Sequence, residues 1–144
     1  MDRARQSIRV RVGGEPIDAA ALIDEVARPD SGATVLFIGT VRDHSPGKTE
    51  VSHLDYEVYA GVVEAKIGEI VDEATAKWPL LSVVVEHRSG VVVTGEASVA
   101  VSVSSAHRSD AFEAARYLID ELKTRAPIWK KEHWPGGAEW SRGS

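Results

Sequence analysis

The sequence of 144 residues predicts a single α+β domain in which helices pack on a mainly antiparallel sheet. Two kinds of segment support this fold class. The stretch EASVAVSVSS alternates apolar with small polar residues, and ATVLFIGTV, at 33–41, is an almost continuous β-branched and aromatic run, so both are predicted strands. Between Ala60 and Trp78, apolar residues recur at helical spacing and form one stripe of an amphipathic helix.

The first elements of the chain follow from alternation and from turn residues. Ser7–Val12 alternates apolar with charged side chains, which predicts a half-buried strand. The residues GGEP interrupt this strand, and Asp18 is placed to cap a short helix, AAALIDEVA. After the buried strand at 33–41, the composition of RDHSPGKTE predicts a loop that turns at Pro46 and Gly47.

The segment VSHLDYEVY predicts the next strand, and its alternation separates two faces. One face carries Val51, His53, Asp55, Glu57 and Tyr59. The other face, which is expected to lie toward the core, carries Ser52, Leu54, Tyr56 and Val58.

Three further strands, the last of them EASVAVSVSS, and a second long helix follow the helix at 60–78. The segment LSVVVEHRSGVVV predicts two strands joined by a turn at Ser89 and Gly90. The second long helix is predicted over 109–124, with Ser105 or Ser109 as its cap.

Pro127 determines where the last predicted helix ends. A residue that precedes proline is disfavoured in helical geometry, so Ala126 leaves the helix and the helix ends by about residue 125. The predicted order of elements is therefore β-α-β-β-α-β-β-β-α, followed by an irregular tail whose backbone is extended after Pro127.

The composition argues against several classes of site and partner. The chain has no cysteine, so it has no disulfide and no thiolate metal ligand, which fits a reducing cytoplasm. Its net charge of −5 argues against nonspecific binding to nucleic acid. No apolar run approaches the roughly 18 residues of a membrane-spanning helix, so no membrane partner is expected. The five histidines lack acidic or thiolate partners at metal spacing, and neither a metal nor another cofactor is predicted.

Cationic residues at the ends of predicted elements are candidate functional groups. Arg42 directly follows the buried strand, where Gly39 would let another group approach the backbone. The alternative for Arg42 is a solvated arginine that opens a polar loop. His107 and Arg108 lie between a strand end and a helix start, where backbone N–H groups favour an anion. The alternative for Arg108 is an ion pair with Asp110 or another carboxylate.

The run TRAPIWKKEHW, at 124–134, concentrates cations and tryptophans directly after Lys123. Extended geometry would place Lys130 on the face of Ile128, Glu132 and Trp134, and Lys131 on the face of Trp129 and His133. Only one of the two lysines can then join Lys123 in a pocket, where burial or neighbouring cations would lower the proton affinity of an amine. The alternatives are a surface segment with aromatic packing beneath its charges, and for Lys123 an ordinary interaction with the helix dipole.

Four segments together resemble the large, catalytic subunit of molybdopterin synthase. They are FIGTVRDHSPG, LDYEVY, WPLLSVVVEHRSGVVVTGEASVAVSVSSAHRSDAF and LIDELKTRAPIWKKE, and the resemblance covers roughly residues 30–140. It implies that residues 1–144 form one domain of this family, with a fold of the α/β-hammerhead type. It also implies a central dimer of large subunits, with a small ubiquitin-like subunit docked at each end to complete a heterotetramer.

The resemblance implies a specific reaction for this chain. The small subunit ends in Gly-Gly and carries a thiocarboxylate, which enters a pocket of the large subunit. There sulfur passes to cyclic pyranopterin monophosphate, and two transfers create the dithiolene of molybdopterin during molybdenum cofactor biosynthesis.

The motifs of the family assign roles residue by residue. Lys123 and Lys130 match the catalytic lysines. The substrate-binding set is matched by Thr40, Val41, Arg42, His107, Arg108, Lys131 and Glu132. Within that set, His107 and Arg108 match an anion-binding pair. Family members often continue past the tryptophan matched by Trp140 with a basic residue offered to the partner protomer's site, a role that Arg142 could take here.

Two functions of different classes therefore compete. The first is the sulfur-transferring subunit described above. The second is a noncatalytic α+β module that binds an anionic metabolite or the tail of a partner. Only the first requires Lys123 and Lys130 for turnover, whereas in the second they would contribute to affinity alone.

Overall fold

Two four-stranded sheets and three helices make up the computed structural model, which describes residues 6–143. The helices are α1 (Ala19–Val26), α2 (Val62–Lys77) and α3 (Arg108–Arg125). The strands are β1 (Ser7–Gly13), β2 (Ala33–Thr40), β3 (His53–Val58), β4 (Leu80–Arg88), β5 (Gly90–Val93), β6 (Ala97–Ser105), β7 (Ile128–Trp134) and β8 (Gly137–Arg142). The predicted α+β class is confirmed, although the strands divide between two sheets rather than forming one.

The first sheet has the strand order β1-β4-β6-β2 and is covered by helices on both faces. Only the β1–β4 pair is parallel; the β4–β6 and β6–β2 pairs are antiparallel. Helices α2 and α3 pack on the face that carries Val83 and Val85, whereas α1 packs on the face that carries Val84. The polar positions of β6 are therefore buried as well, and Ser102 Oγ donates to the carbonyl oxygen of Leu22 at 2.9 Å.

The second sheet has the order β5-β3-β7-β8 and is antiparallel throughout. It includes the C-terminal segment, so the prediction of an irregular tail is wrong. Strands β7 and β8 form a hairpin in which Trp134 pairs with Gly137 across a turn at Pro135 and Gly136. The extended backbone predicted after Pro127 is confirmed, because β7 pairs with β3 along its length.

The predicted faces of β3 are confirmed at its centre and wrong at its start. Leu54 and Tyr56 are buried on the core side, whereas His53 and Asp55 are partly exposed on the other. Val51 was expected to share the outward face, but only 3% of its surface is exposed. The reason is that β3 begins at His53, so Val51 still belongs to the preceding loop and turns inward.

The helices match their predicted spans within two residues, and their caps match in part. In α2 the predicted apolar stripe is buried at Val63, Ile67, Ile70, Val71 and Ala74. Asp18 caps α1 as predicted, since its Oδ1 accepts from the backbone N–H of Ala21 at 3.1 Å. The serine cap predicted for α3 is wrong, because His107 occupies that position without a capping hydrogen bond from its side chain. Helix α3 ends at Arg125, and Ala126 is extended.

A polar clasp between α2 and α3 fixes the end of α3. Arg125 donates to both carboxylate oxygens of Glu73, at 2.6 and 2.9 Å, and the hydroxyl of Tyr117 donates to the same group at 2.7 Å. The hydrogen bonds from Arg125 and Tyr117 lower the pKa of Glu73 to about 2. The clasp therefore remains ionised at neutral pH and holds the turn of α3 that carries Lys123.

Candidate active site

A cavity of about 320 Å³ opens where β2 ends, bounded by the loop after β2, by β3, β6 and β7, and by the last turn of α3. Six residues that the sequence singled out line this cavity: Thr40, Val41, Arg42, Lys123, Lys130 and Glu132. Segments far apart in the chain thus bring three cations into one concave space. His107, Arg108 and Lys131 do not line it.

The end of β2 is shaped so that Arg42 reaches the cavity. The pairing of β2 with β6 shifts register between Gly39 and Thr40. A Cβ atom at Gly39 would lie 2.6 Å from Cγ1 of Val99, so a side chain does not fit at this position without displacing Val99. Within residues 6–143, Arg42 forms no ion pair with a carboxylate. Its guanidinium is therefore available to an anion in the cavity.

The register of β7 selects which of the two adjacent lysines faces the cavity. Lys130 lies opposite Tyr56 on β3, and both residues line the cavity. Lys131 lies opposite Asp55 on the other face, where its Nζ sits 5.6 Å from the ring centre of Trp140. The prediction that the two lysines diverge is confirmed. Lys131, assigned to substrate binding by resemblance, is directed away from this cavity.

Lys123 combines partial burial with two neighbouring positive charges. Burial contributes most to lowering its pKa below the ordinary lysine value, followed by the charges of Lys130 and Arg42, while Asp120 acts in the opposite direction. A larger fraction of the Lys123 amine is therefore neutral at a given pH than in an ordinary lysine. A neutral amine can act as a nucleophile or accept a proton.

Glu132 is the acidic member of the cavity and also its tether to the loop after β2. Its carboxylate accepts from Ser45 Oγ at 2.6 Å and pairs with Lys48 Nζ at 3.5 Å. Burial alone would raise its pKa, but the hydrogen bond from Ser45 and the charges of Lys48 and Lys130 outweigh it, so the pKa is lowered. Glu132 therefore stays ionised and fixes the loop that forms one wall.

Four residues of the lining, two from the loop after β2 and one each from β3 and β6, were not predicted as site residues. His44, Ser45, Tyr56 and Ser98 also line the cavity. Tyr56 is nearly fully buried, and this burial raises the pKa of its hydroxyl. The predicted core face of β3 pointed to Tyr56, whereas the contact of Ser45 with Glu132 spans 87 positions of the sequence and had no local signal.

His107 and Arg108 lie far from the cavity of their own chain. They begin α3, just beyond Ser105 at the end of β6, whereas the cavity is lined by Ser98 and Val99 near the start of that strand. At about 3.3 Å per residue, the two ends are separated by roughly 20 Å. Both side chains are exposed, and within the described residues Arg108 pairs with neither Asp110 nor another carboxylate.

Three further observations complete the comparison with the residues and partners considered from the sequence. Arg142 lies at the exposed end of β8 opposite Trp129 and does not line it. Over residues 6–143, no group of three or more histidine, aspartate or glutamate side chains is arranged to hold a metal ion. In the same part of the chain, no helix has the length and apolar character to cross a membrane.

The cavity is suited to bind an anion and to present an amine to it. Arg42 and Lys130 supply positive charge, and Lys123 is the amine with reduced proton affinity. Most of the sequence is shared with known proteins. Residues 12–125 match the family described as MoaE protein. A molybdopterin synthase catalytic subunit of Thermoplasma volcanium is 49% identical over 123 residues, which cover 85% of this chain and 89% of that protein.

Solved structures share the fold. The molybdopterin synthase structure from Staphylococcus aureus superposes with a TM-score of 0.84 at 36% identity, covering 90% of this chain and 94% of that one. A complex of subunits 1 and 2 of molybdopterin-converting factor from Helicobacter pylori contains a chain with a TM-score of 0.74 at 20% identity, covering 93% of this chain and 89% of that one. The family match spans most of the sequence and includes Arg42, Arg108 and Lys123. By this match and by its similarity to the Thermoplasma protein, the chain belongs to the MoaE protein family.

Proposed function

We propose that this protein is the catalytic subunit of a molybdopterin synthase and transfers sulfur to a pterin during molybdenum cofactor biosynthesis. The sulfur donor is the C-terminal thiocarboxylate of a small ubiquitin-like subunit, and the acceptor is cyclic pyranopterin monophosphate. The observation that carries the proposal is the convergence of Lys123, Lys130 and Arg42 in one cavity of a chain that belongs to the MoaE family.

The charges of the cavity fit both reactants. The pterin carries a phosphate and the small subunit ends in a thiocarboxylate, so two anions must meet in one space. Arg42 and Lys130 would bind and orient them, while Thr40 and Val41 supply the wall at the end of β2. Glu132 would hold the loop in place through Ser45 and Lys48. The lack of cysteine supports a sulfur source on a second chain and a reducing, cytoplasmic setting.

Lys123 is assigned the reacting amine. Its lowered pKa makes it the better nucleophile or proton acceptor of the pair, and Lys130 stabilises negative charge that develops beside it. The partner is inferred from the Helicobacter pylori structure, which is a complex of two subunits. A tail ending in Gly-Gly suits a narrow cavity, because glycine has no side chain to exclude.

Reconstitution tests this function directly. The protein is mixed with the thiocarboxylated small subunit and cyclic pyranopterin monophosphate, and dithiolene product is measured by mass spectrometry. We expect product from this mixture and none when the small subunit ends in an ordinary carboxylate. Tight binding of both reactants without product would instead favour a noncatalytic module that binds an anionic metabolite or a partner's tail.

His107 and Arg108 are proposed to serve the cavity of a second copy of the chain. The two residues are exposed about 20 Å from their own cavity by the strand length given above, so they cannot bind the same substrate molecule as Lys123 within one chain. In a symmetric dimer, each chain could offer this pair to its partner. Lys131 and Arg142, which also lie outside the cavity, would be available to the small subunit or to the second copy.

Mixed dimers distinguish this arrangement from a site contained in one chain. Lys123→Met and Arg108→Met are each expected to have low activity, whereas their co-expression should restore activity to roughly a quarter of the wild-type level. That value follows because half of the dimers are mixed and each mixed dimer has one intact site. No recovery in purified mixed dimers, or full activity of Arg108→Met alone, would contradict the arrangement.

A further inference from the structure

A second cavity, of about 220 Å³, lies on the second sheet, on the face opposite to Lys130. It is lined by Glu57, Tyr59, Trp129 and Trp140, and is called the aromatic cavity below. Glu57 on β3 lies opposite Trp129 on β7, and Trp129 directly precedes Lys130, which faces the candidate active site. Because side chains alternate between the two faces of a sheet, the sheet itself separates the two cavities.

Three aromatic rings form the walls of the aromatic cavity. The ring planes of Tyr59 and Trp129 meet at 87°, with 5.5 Å between the ring centres. Trp140, on the neighbouring strand β8, supplies the third ring. Tyr59 is 62% exposed and Trp140 49% exposed, so neither ring is part of the core. Walls at a right angle form a corner, in which a rounded group contacts two rings at once.

The lining of the aromatic cavity complements a positive charge. The faces of aromatic rings carry partial negative charge and attract cations. Trp140 already does so within the fold, since Lys131 Nζ lies 5.6 Å from its ring centre. Glu57 is exposed, and within residues 6–143 it forms no ion pair with a basic side chain. Its carboxylate is therefore available to a cationic ligand.

Two basic residues flank the aromatic cavity without lining it. Arg142 lies opposite Trp129, and Lys131 lies on the same face of the sheet. Their charges are offset by those of Asp55 and Glu57, which the register places on that face. Attraction of a cation therefore depends on short-range contact with the rings and with Glu57, and not on the net charge of the surface.

We propose that the aromatic cavity binds a trimethylammonium group, as found in choline or in trimethylated lysine. Such a group is nearly spherical and has no N–H to donate, so it gains from ring faces in any orientation and needs no hydrogen-bond acceptor. A guanidinium is planar and stacks on one ring plane at a time, which suits perpendicular walls less well. The inference is independent of the proposed sulfur transfer, because the aromatic cavity lies on the other face of the sheet.

A charged ligand and its neutral isostere test the proposal on the isolated, full-length, ¹⁵N-labelled protein. Choline should shift the indole N–H resonances of Trp129 and Trp140. The indole of Trp78, which donates to Glu113 at 3.1 Å, is the internal reference and should not shift. The alcohol in which carbon replaces the nitrogen of choline should bind at least about tenfold more weakly. Equal affinities for the two compounds would overturn the proposal.

Substitutions in the lining identify the binding site. Tyr59→Leu removes one exposed ring and should weaken choline binding about fivefold. Glu57→Gln keeps the shape of the side chain and should weaken choline binding about two- to fivefold, without affecting the neutral alcohol. Glu15→Gln, which removes the same charge from an exposed loop outside the cavity, is the control and should bind as the wild type does. Wild-type affinity for choline in both lining variants would rule out this site.

A trimethylated peptide distinguishes the two sources of the group. A short peptide that contains trimethyllysine is titrated beside its unmethylated form and beside choline. Tighter binding of the methylated peptide than of choline would assign the cavity to a modified side chain, and tighter binding of choline would assign it to a free compound. If neither choline nor the methylated peptide shifts Trp129 and Trp140, the proposal is wrong.

Discussion

Replacing Lys123 by methionine is expected to lower dithiolene formation by about 10²- to 10⁴-fold, the range that one positioned acid–base or nucleophilic group contributes. Methionine is nearly as long as lysine and removes only the amine. Because Lys123 is partly exposed and not a core residue, the melting temperature should change little. The measurement is the single-turnover rate of product formation by mass spectrometry, with the thermal melt recorded on the same sample.

Lys66→Met is the matched control for Lys123→Met. Lys66 also lies on a helix exposed to solvent, where it pairs with Glu69, and it is remote from the cavity lining. This variant should retain the wild-type rate. A Lys123→Met protein that forms product at near the wild-type rate would exclude the lysine from the chemistry and leave it a role in binding at most.

Replacing Lys130 by methionine is expected to lower the rate on the order of 10²-fold and to change its pH dependence. The first effect is the loss of a positive charge that stabilises the reacting anions. The second follows from the contribution of Lys130 to lowering the pKa of Lys123. Without that charge the pKa of Lys123 rises, less amine is neutral at a given pH, and the rising limb of the pH–rate profile moves to higher pH.

Lys131→Met is the control for the electrostatic part of this prediction. It removes the same charge one residue away, but from the opposite face of β7, where Lys131 lies over Trp140. The limb of the profile assigned to Lys123 should therefore stay at its wild-type pH in this variant. An equal displacement of the limb in both variants would show that overall charge, rather than the contact inside the cavity, sets the acidity of Lys123.

Local patterns in the sequence were sufficient to predict an element where apolar residues recur on one face of it or where a local signal marks its end. The stripe from Val63 to Ala74 predicted α2, and Pro127 predicted that α3 ends by about residue 125, which is where it ends. They were insufficient for the C-terminal hairpin. The consecutive charged residues Lys130, Lys131 and Glu132 do not give the pattern of a strand. Strand β7 is stabilised by backbone pairing with β3, which lies about 70 to 80 residues earlier in the chain.

The candidate site shows the same division. The alternation after Pro127 separated Lys130 from Lys131, and the resemblance named the cationic residues. Neither the alternation nor the resemblance revealed that Arg42, Lys123 and Lys130 share one cavity. Nor did they reveal that His107 and Arg108 lie beyond the far end of β6. Ser45 and Tyr56 had no motif of their own: Ser45 joins the site through its contact with Glu132, 87 positions away, and Tyr56 through its place on the core face of β3.

The sequence by itself therefore determined the α+β class, the positions of the three helices, the family and the set of basic residues available for chemistry. The tertiary structure decided which of those residues meet and that the proton affinity of Lys123 is lowered. The physical reason is that periodicity reports the environment of one element at a time. The proton affinity of Lys123 instead depends on burial by its surroundings and on charges contributed by β7 and by the loop after β2, which come together only when the chain folds.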